Sequence, residues 1–192
     1  MARGDAQREF AEAASDDGVV LTRQSVDWLC QRGHIALPDE AGSARDALER
    51  IYVALGGDRD TLATGNLTRL SGDFLHEPTG TLVEVDESQH FTSFRLTTLD
   101  LYPEDAQLGY DLATYKQLCR AWQKKSDSYF RTKPARGFGV GGRQKQRAYY
   151  DALRDLATPA MGRPPLIRIE ATERDGRAAY HRNRDQLLEL VA

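Results

Sequence analysis

Asp73, Glu84 and Asp86, followed at once by Gln89 and His90, are the residues of this 192-residue chain whose types and spacing could do chemistry together. Glu84 and Asp86 stand two apart in Thr81 to Asp86, a β-branched and apolar run that reads as a strand. Both side chains then leave one face, about 6–7 Å apart, while Val83 and Val85 take the opposite, core-side face. Asp73 lies in a second strand-like run, Leu67 to Leu75, and the intervening Glu77-Pro78-Thr79-Gly80 has turn chemistry, which predicts a β-hairpin. Three carboxylates crowded on one sheet face repel one another unless something neutralises them. A hard divalent cation with oxygen ligands, Mg²⁺ or Mn²⁺, does so. Gln89 and His90 are near enough to add a ligand, a water-orienting group or a base. An isolated Glu-x-Asp pair is ordinarily a solvated feature of an edge strand. Aspartate is depleted in strands, however, so Asp86 inside such a run asks for a reason.

A second feature is the distribution of charge. The net charge of −3 predicts nothing about partners, but Lys116 to Arg147 holds ten bases and one acid, a local charge of +9 against −12 for the rest. Segregation on this scale is an electrostatic footprint for a polyanion. Lys124, Lys125, Arg131, Lys133, Arg136, Arg143, Lys145 and Arg147, with Gln146 and Tyr150, form the expected nucleic-acid contacts. Trp122, Tyr129, Phe130 and Phe138 are interleaved with them; bases neutralise phosphates and aromatic rings can stack on unpaired bases. Trp122 also fits the apolar stripe of a helix and reads as core. Gly137 to Gly142 lacks the lysine and hydroxyl ending of a phosphate-binding loop, and reads as a mobile loop or lid.

The elements that must position these groups are legible in outline. The first 15 residues read as a helix ended by Asp16-Asp17-Gly18, and Arg23 to Arg32 as a second, with Gly33 as a left-handed cap. A third begins at Ser43, with Asp46 as its capping-box partner, and stops at Gly56-Gly57. Helices over Tyr110 to Lys125 and Arg143 to Ala157 follow the hairpin. Thr158 to Pro165 breaks the chain, Leu166 to Ile169 is a strand, and Ala178 to Val191 closes as a helix. The order is that of a mixed α/β domain with a small sheet. His34, His76 and His181 have no metal-ligand spacing and read as surface or cap residues. Cys30 and Cys119 fall on apolar stripes and read as buried thiols.

Gly72-Asp73-Phe74-Leu75, Leu82-Val83-Glu84-Val85-Asp86 and Gln89-His90 together resemble the PD-(D/E)XK nuclease superfamily, most closely its branch related to very-short-patch repair endonucleases. Arg147, Tyr150 and Asp151 on a helix leading into Leu166 to Ile169 extend the likeness, and Gln146 and Tyr150 have the Gln-x-x-x-Tyr spacing of RecB-like members. The matched segments cover about half the chain, from Ser43 to Glu170. The resemblance implies a restriction-endonuclease-like core, a small mixed sheet flanked by helices, with extra N-terminal helices (1–42) and a basic helical and loop insert (about 104–142) in a domain spanning 43–192. It implies that Asp73, Glu84 and Asp86 hold Mg²⁺ or Mn²⁺ with the Val85 carbonyl, and that Asp73, Glu84, Asp86, Gln89 and His90 form the catalytic set. Gly72 stands where many members have proline. Asp86 stands where most members have a lysine, as it does in the related branch. The lysine's work then falls to His90, to a migrated base such as Lys145 or to the metal alone, or else the site is inactive.

These readings converge on a metal-dependent endodeoxyribonuclease of phage defence or DNA repair, acting on DNA as a homodimer or in a larger complex. A catalytically inactive nucleic-acid-binding subunit of nuclease fold is the alternative, and a protein-interaction subunit with a basic face is the third. No run of about 18 apolar residues is present to cross a membrane. Acids near the start argue against a signal peptide, and two distant cysteines form no disulfide framework or zinc cage, so the chain reads as cytoplasmic.

Overall fold

A strand that carries acids on one face and valines on the other needs two different coverings, and the architecture supplies them. The computed structural model describes residues 5–23 and 25–192. Met1 to Gly4, where the expected first helix begins, and Gln24, inside the expected second, lie outside the described residues. The chain is a mixed α/β protein with two small sheets flanked by helices.

The larger sheet has three strands. The hairpin forms as its alternation dictates: β3 (Phe74–His76) pairs antiparallel with β4 (Thr81–Asp86), with Phe74 opposite Val83. β5 (Ile167–Glu170) lies parallel on the other side of β4, with Glu84 opposite Arg168 and Val85 opposite Ile169. Val83, Val85, Ile167 and Ile169 form one apolar face. It is closed by α1 (Asp5–Asp16) and α7 (Gly176–Arg182), which contribute Phe10, Ala13, Ala179 and Tyr180. Glu84, Asp86 and Arg168 take the other face, against α6 (Gly142–Ala160), and all three are buried. β4 is therefore covered on both sides, as expected of a strand with a parallel neighbour.

A second core lies between α6 and α2 (Arg45–Ala54), built on Leu48, Ile51, Tyr52, Tyr149 and Leu153. A third joins α4 (Ser93–Asp100) to α5 (Leu112–Ser126) through Phe91, Leu99, Tyr115 and Cys119. Trp122 packs partly buried against this third cluster. Among the described residues, no helix is long and apolar enough to cross a membrane.

Several sequence expectations require correction. Arg23 to Arg32 is not a helix: Ser25–Cys30 is a strand, β1, paired antiparallel with β2 (Arg69–Ser71). Val26 and Trp28 are β-prone, and Asp27 reaches across to Arg69 at 2.8 Å. The first 42 residues are thus no helical appendage, since they supply a strand and, through α1, one wall of the main core. Gly33 does adopt the left-handed conformation, at φ +56°, but its place reflects packing, since a Cβ there would lie 2.1 Å from the Tyr149 hydroxyl oxygen. Ser43 caps nothing, because a 3-10 segment over Asp39–Ala44 runs straight into α2. Leu67 to Leu75 is broken at Gly72-Asp73 into strands of two different sheets. α6 continues past Pro159 to Ala160, and the last helical stretch divides into α7 and a short α8 (Arg184–Leu188). α4 and the short α3 (Arg59–Ala63) lie in segments to which the sequence reading assigned no element. His34 and His76 are buried rather than superficial: His34 is held between Tyr149 and Glu49, and His76 accepts or donates to Thr79 within the hairpin turn. Cys30 and Cys119 are both buried free thiols.

Candidate active site

The break at Gly72-Asp73 is what builds the site. Asp73 falls opposite Glu84, just where β3 begins, and its side chain replaces a missing ladder partner: Asp73 Oδ2 accepts the Val85 amide at 2.9 Å. In return Glu84 Oε1 accepts the Asp73 amide at 3.2 Å. This reciprocal pairing fixes both carboxyls at the end of the hairpin. It leaves Asp73 Oδ1 and Glu84 Oε2 without a hydrogen bond among the described residues. The main-chain N–H and C=O of a strand residue point to the same edge, so the Val85 carbonyl faces the Asp73 side of β4 as well.

Both carboxyls open into a cavity of about 250 Å³ that also takes in Glu87, Gln89, His90, Arg143, Arg147 and Arg154. Burial pushes the Glu84 carboxyl up to about 7, although Arg154 pulls the other way; repulsion from Asp73 adds to the rise. Burial also raises Asp73, against the opposing hydrogen bond from Val85. Arg154 Nε approaches Glu84 Oε1 to 3.4 Å without the geometry of a hydrogen bond. Arg154 is instead spent on main-chain carbonyls, at Ser71 (2.7 Å) and Tyr150 (3.3 Å). Two buried polar atoms of the cavity wall, Arg154 Nε and Gln7 Oε1, have no hydrogen-bond partner among the described residues. In a native protein such atoms point to water or a ligand.

Asp86 does not join this pair. It shares the face of Glu84 but sits deeper, bonded to Arg168 (2.9 and 3.1 Å) and to the Tyr115 hydroxyl (2.7 Å). Asp86, expected as a metal ligand and catalytic group, thus has its oxygens taken up by Arg168 and Tyr115 and does not line the cavity of Asp73 and Glu84, because the parallel pairing of β5 delivers a buried arginine to its side. Arg168 continues to Asp155 (2.8 Å), which also binds Arg95 (2.6 Å) and accepts the hydroxyls of Tyr102 and Tyr110. Arg95 and Arg168 are wholly buried, and their partners neutralise them.

His90 bridges the two regions. Its Nδ1 lies 3.0 Å from Asp151 and 3.2 Å from Asp86. Burial opposes the imidazolium, but these two carboxylates outweigh it and raise its pKa. Burial likewise opposes ionisation of Asp151, yet His90 and Arg168 hold it well below the usual carboxylate range. With Nδ1 so engaged, the Nε2 atom of His90, a cavity-lining residue, has no partner among the described residues. Gln89 donates to Glu87 (3.2 Å), and its carbonyl accepts from Arg147 (3.2 Å).

The expected nucleic-acid residues divide by helix face. Arg143, Arg147 and Tyr150 recur at helical spacing along α6 and line the cavity, joined there by Arg154, which was not among the expected contacts. Lys145 leaves another face and lies over the Phe94 ring. Gln146 accepts from Arg143 and sits with Tyr150 near the Tyr52 and Phe138 rings. Lys124 and Lys125 are exposed at the end of α5, and Arg131, Lys133 and Arg136 are exposed in the loop beyond it. That loop is not a free lid. Gly137 O accepts from Asp58 (2.7 Å), Ala135 pairs with Gly139, and Phe138 packs against Tyr52 and Tyr149. Glu87 and Arg154 were missed as cavity residues, and Asp151 was read only as part of the helix that extends the family likeness, without a site role. The recurrence of polar residues at 143, 147, 151 and 154 is the signal that could have found the last two.

Among the described residues, no group of three or more His, Cys, Asp or Glu side chains is arranged to hold a metal ion. The donor set at the cavity is two carboxylates and a main-chain carbonyl. That fits an ion such as Mg²⁺, which takes one or two carboxylates and fills its remaining positions with water and substrate phosphate.

A model of a family of unknown function, DUF7255, matches residues 50–133. This stretch, under half of the chain, contains Asp73, Glu84, Asp86 and His90 and stops before α6. No curated protein and no solved structure matches the chain.

Proposed function

We propose that this protein is a metal-dependent nuclease that hydrolyses phosphodiester bonds in DNA, with its active centre at Asp73 and Glu84. One observation carries the reading. Two carboxyls, Glu84 buried and Asp73 half-buried, both disfavoured as anions by desolvation, turn open oxygens into one cavity whose other wall is cationic. Groups held that way call for a cation between them and a polyanion in front of them.

The resemblance to the PD-(D/E)XK superfamily supports the same reading. An acid before a hairpin, a second acid on its return strand, a parallel third strand and a flanking helix with inward polar residues are the parts that a restriction-endonuclease-like core requires. In this scheme Asp73 and Glu84, with the Val85 carbonyl, hold Mg²⁺ or Mn²⁺. Such an ion supplies Lewis-acid activation of a water and a clamp on the phosphate, a contribution of several kcal/mol. Arg143 and Arg147 bind and orient the strand's phosphates. Asp151 and Asp86 favour the protonated form of His90 against the cost of burial, which suits its Nε2 to donate a proton toward the leaving oxygen. Glu84 must ionise to hold a cation, so cation affinity rises with pH through about 7, and activity at sub-saturating metal rises with it.

The test is cleavage of single-stranded, duplex and branched DNA with Mg²⁺ or Mn²⁺. Asp73→Asn and Glu84→Gln should each lower the rate by at least ~10³-fold while remaining folded. The alternative, a binding subunit without catalysis, is favoured by one observation: the strand position that holds a lysine in most of the superfamily is Asp86, locked to Arg168. Salt-sensitive DNA binding by a wild-type protein that cuts none of these substrates would establish that alternative instead.

A further inference from the structure

Phe130 is the feature that the proposed hydrolysis leaves unexplained. It has a backbone φ of +55°, a genuine outlier for a bulky side chain. The residue is 40% exposed and belongs to none of the three apolar clusters. Two cations flank it: Lys133 Nζ lies 5.3 Å from the ring centroid and Arg147 Cζ 5.5 Å. Arg147 continues into the cavity that holds Asp73 and Glu84. The strained backbone is held from behind. The buried Gln144 amide donates to the carbonyls of Ser126 and Tyr129, and the Lys133 amide closes a turn onto Phe130 O. Strain maintained by surrounding contacts, at an exposed position beside a site, is characteristic of a ligand platform.

We infer that Phe130, stacked beside Arg147, is a platform for an unpaired nucleobase, and that the DNA recognised at this site is a single strand or an unpaired segment. The inference rests on the nuclease reading for the site's location. A base inside a duplex already has both faces covered by its neighbours, so an exposed ring reaches a base face only where pairing and stacking are broken. The exposed Arg131 and Lys133 offer positive charge for the phosphates of the same strand.

The experiment is fluorescence anisotropy in EDTA, so that cleavage plays no part, with one labelled oligodeoxynucleotide as a single strand and as a blunt duplex. Wild type should bind the single strand more tightly. Phe130→Ala should weaken that binding about tenfold, leave the duplex within about twofold, and leave the salt slope unchanged because no charge is lost. Phe130→Trp should preserve the preference. Phe130→Gly tests for a merely structural role. Glycine adopts a positive φ freely, so its melting temperature should hold or rise while single-strand affinity falls. Equal losses on both substrates, or folded variants with no loss, would overturn the inference. Failure of wild type to cut DNA with Mn²⁺, with the Phe130-dependent preference intact, would count against hydrolysis alone. Cleavage without that preference would count against the platform alone.

Discussion

Glu84 and Asp86 are two residues apart on one face of one strand, both buried, and they live in opposite electrostatic worlds. Asp86 belongs to a neutralised network: Arg168 and Arg95 balance Asp86 and Asp155, and three tyrosine hydroxyls fill remaining acceptor sites. Glu84 faces Asp73, with an arginine near it that is committed elsewhere. The network explains itself as structure, because each buried charge meets its opposite. In the cavity the balance is partial: Arg154 lies 3.4 Å from Glu84 without a hydrogen bond to it, and two carboxyls share that one arginine, which is where a ligand is to be sought.

Three measurements would break or sharpen this contrast. The largest effect is expected in the network. Arg168→Met strands Asp86 and Asp155 without their shared cation and should cost about 3–5 kcal/mol in urea denaturation. A loss below about 1 kcal/mol, the scale of an exposed ion pair, would mean that the network is not what holds α6 to the sheet. In the cavity the sign should reverse. Glu84 has its native pKa raised to about 7 from 4.5, so the folded state binds its proton more tightly than the unfolded chain does. Its stabilising contribution is complete below about pH 4.5 and is lost as pH rises to about 7. Glu84→Gln should therefore match wild type in stability at pH 4 and exceed it at pH 8, by up to about 3 kcal/mol, in thermal or chemical denaturation without divalent ions. If Glu84→Gln is instead the less stable protein at pH 8, the two regions are alike and the contrast fails. The smallest effect separates two bases of one helix. Arg143→Ala should reduce the salt dependence of DNA binding by about one counterion, whereas Lys145→Ala, over Phe94 and off the cavity face, should leave it unchanged.

What was legible in the sequence follows from the range of the interaction concerned. The Val83/Val85 and Glu84/Asp86 alternation is local, and the hairpin, the face assignment and the meeting of Asp73 with Glu84 all follow from it. The fate of Asp86 was not legible, since it turns on Arg168, 82 residues away, and nothing near Asp86 announces a parallel strand carrying an arginine. Arg23 to Arg32 misled because ten residues containing Val26, Trp28, Leu29 and Cys30 satisfy helical and strand spacing about equally well. Only the pairing with β2 decides between them. The basic segment was visible as composition, but its division into cavity-facing and outward residues needed the phase of α6.

The hydrogen bond from the Val85 amide to the Asp73 carboxyl has one more consequence. A backbone N–H in the middle of the sheet ends on the very carboxyl that would grip an ion, so any change of charge on that oxygen is felt by the peptide group itself. The nitrogen and proton resonances of Val85 are thus a built-in reporter: titrating acid or a divalent salt into labelled protein should move that one signal before the rest of the strand responds.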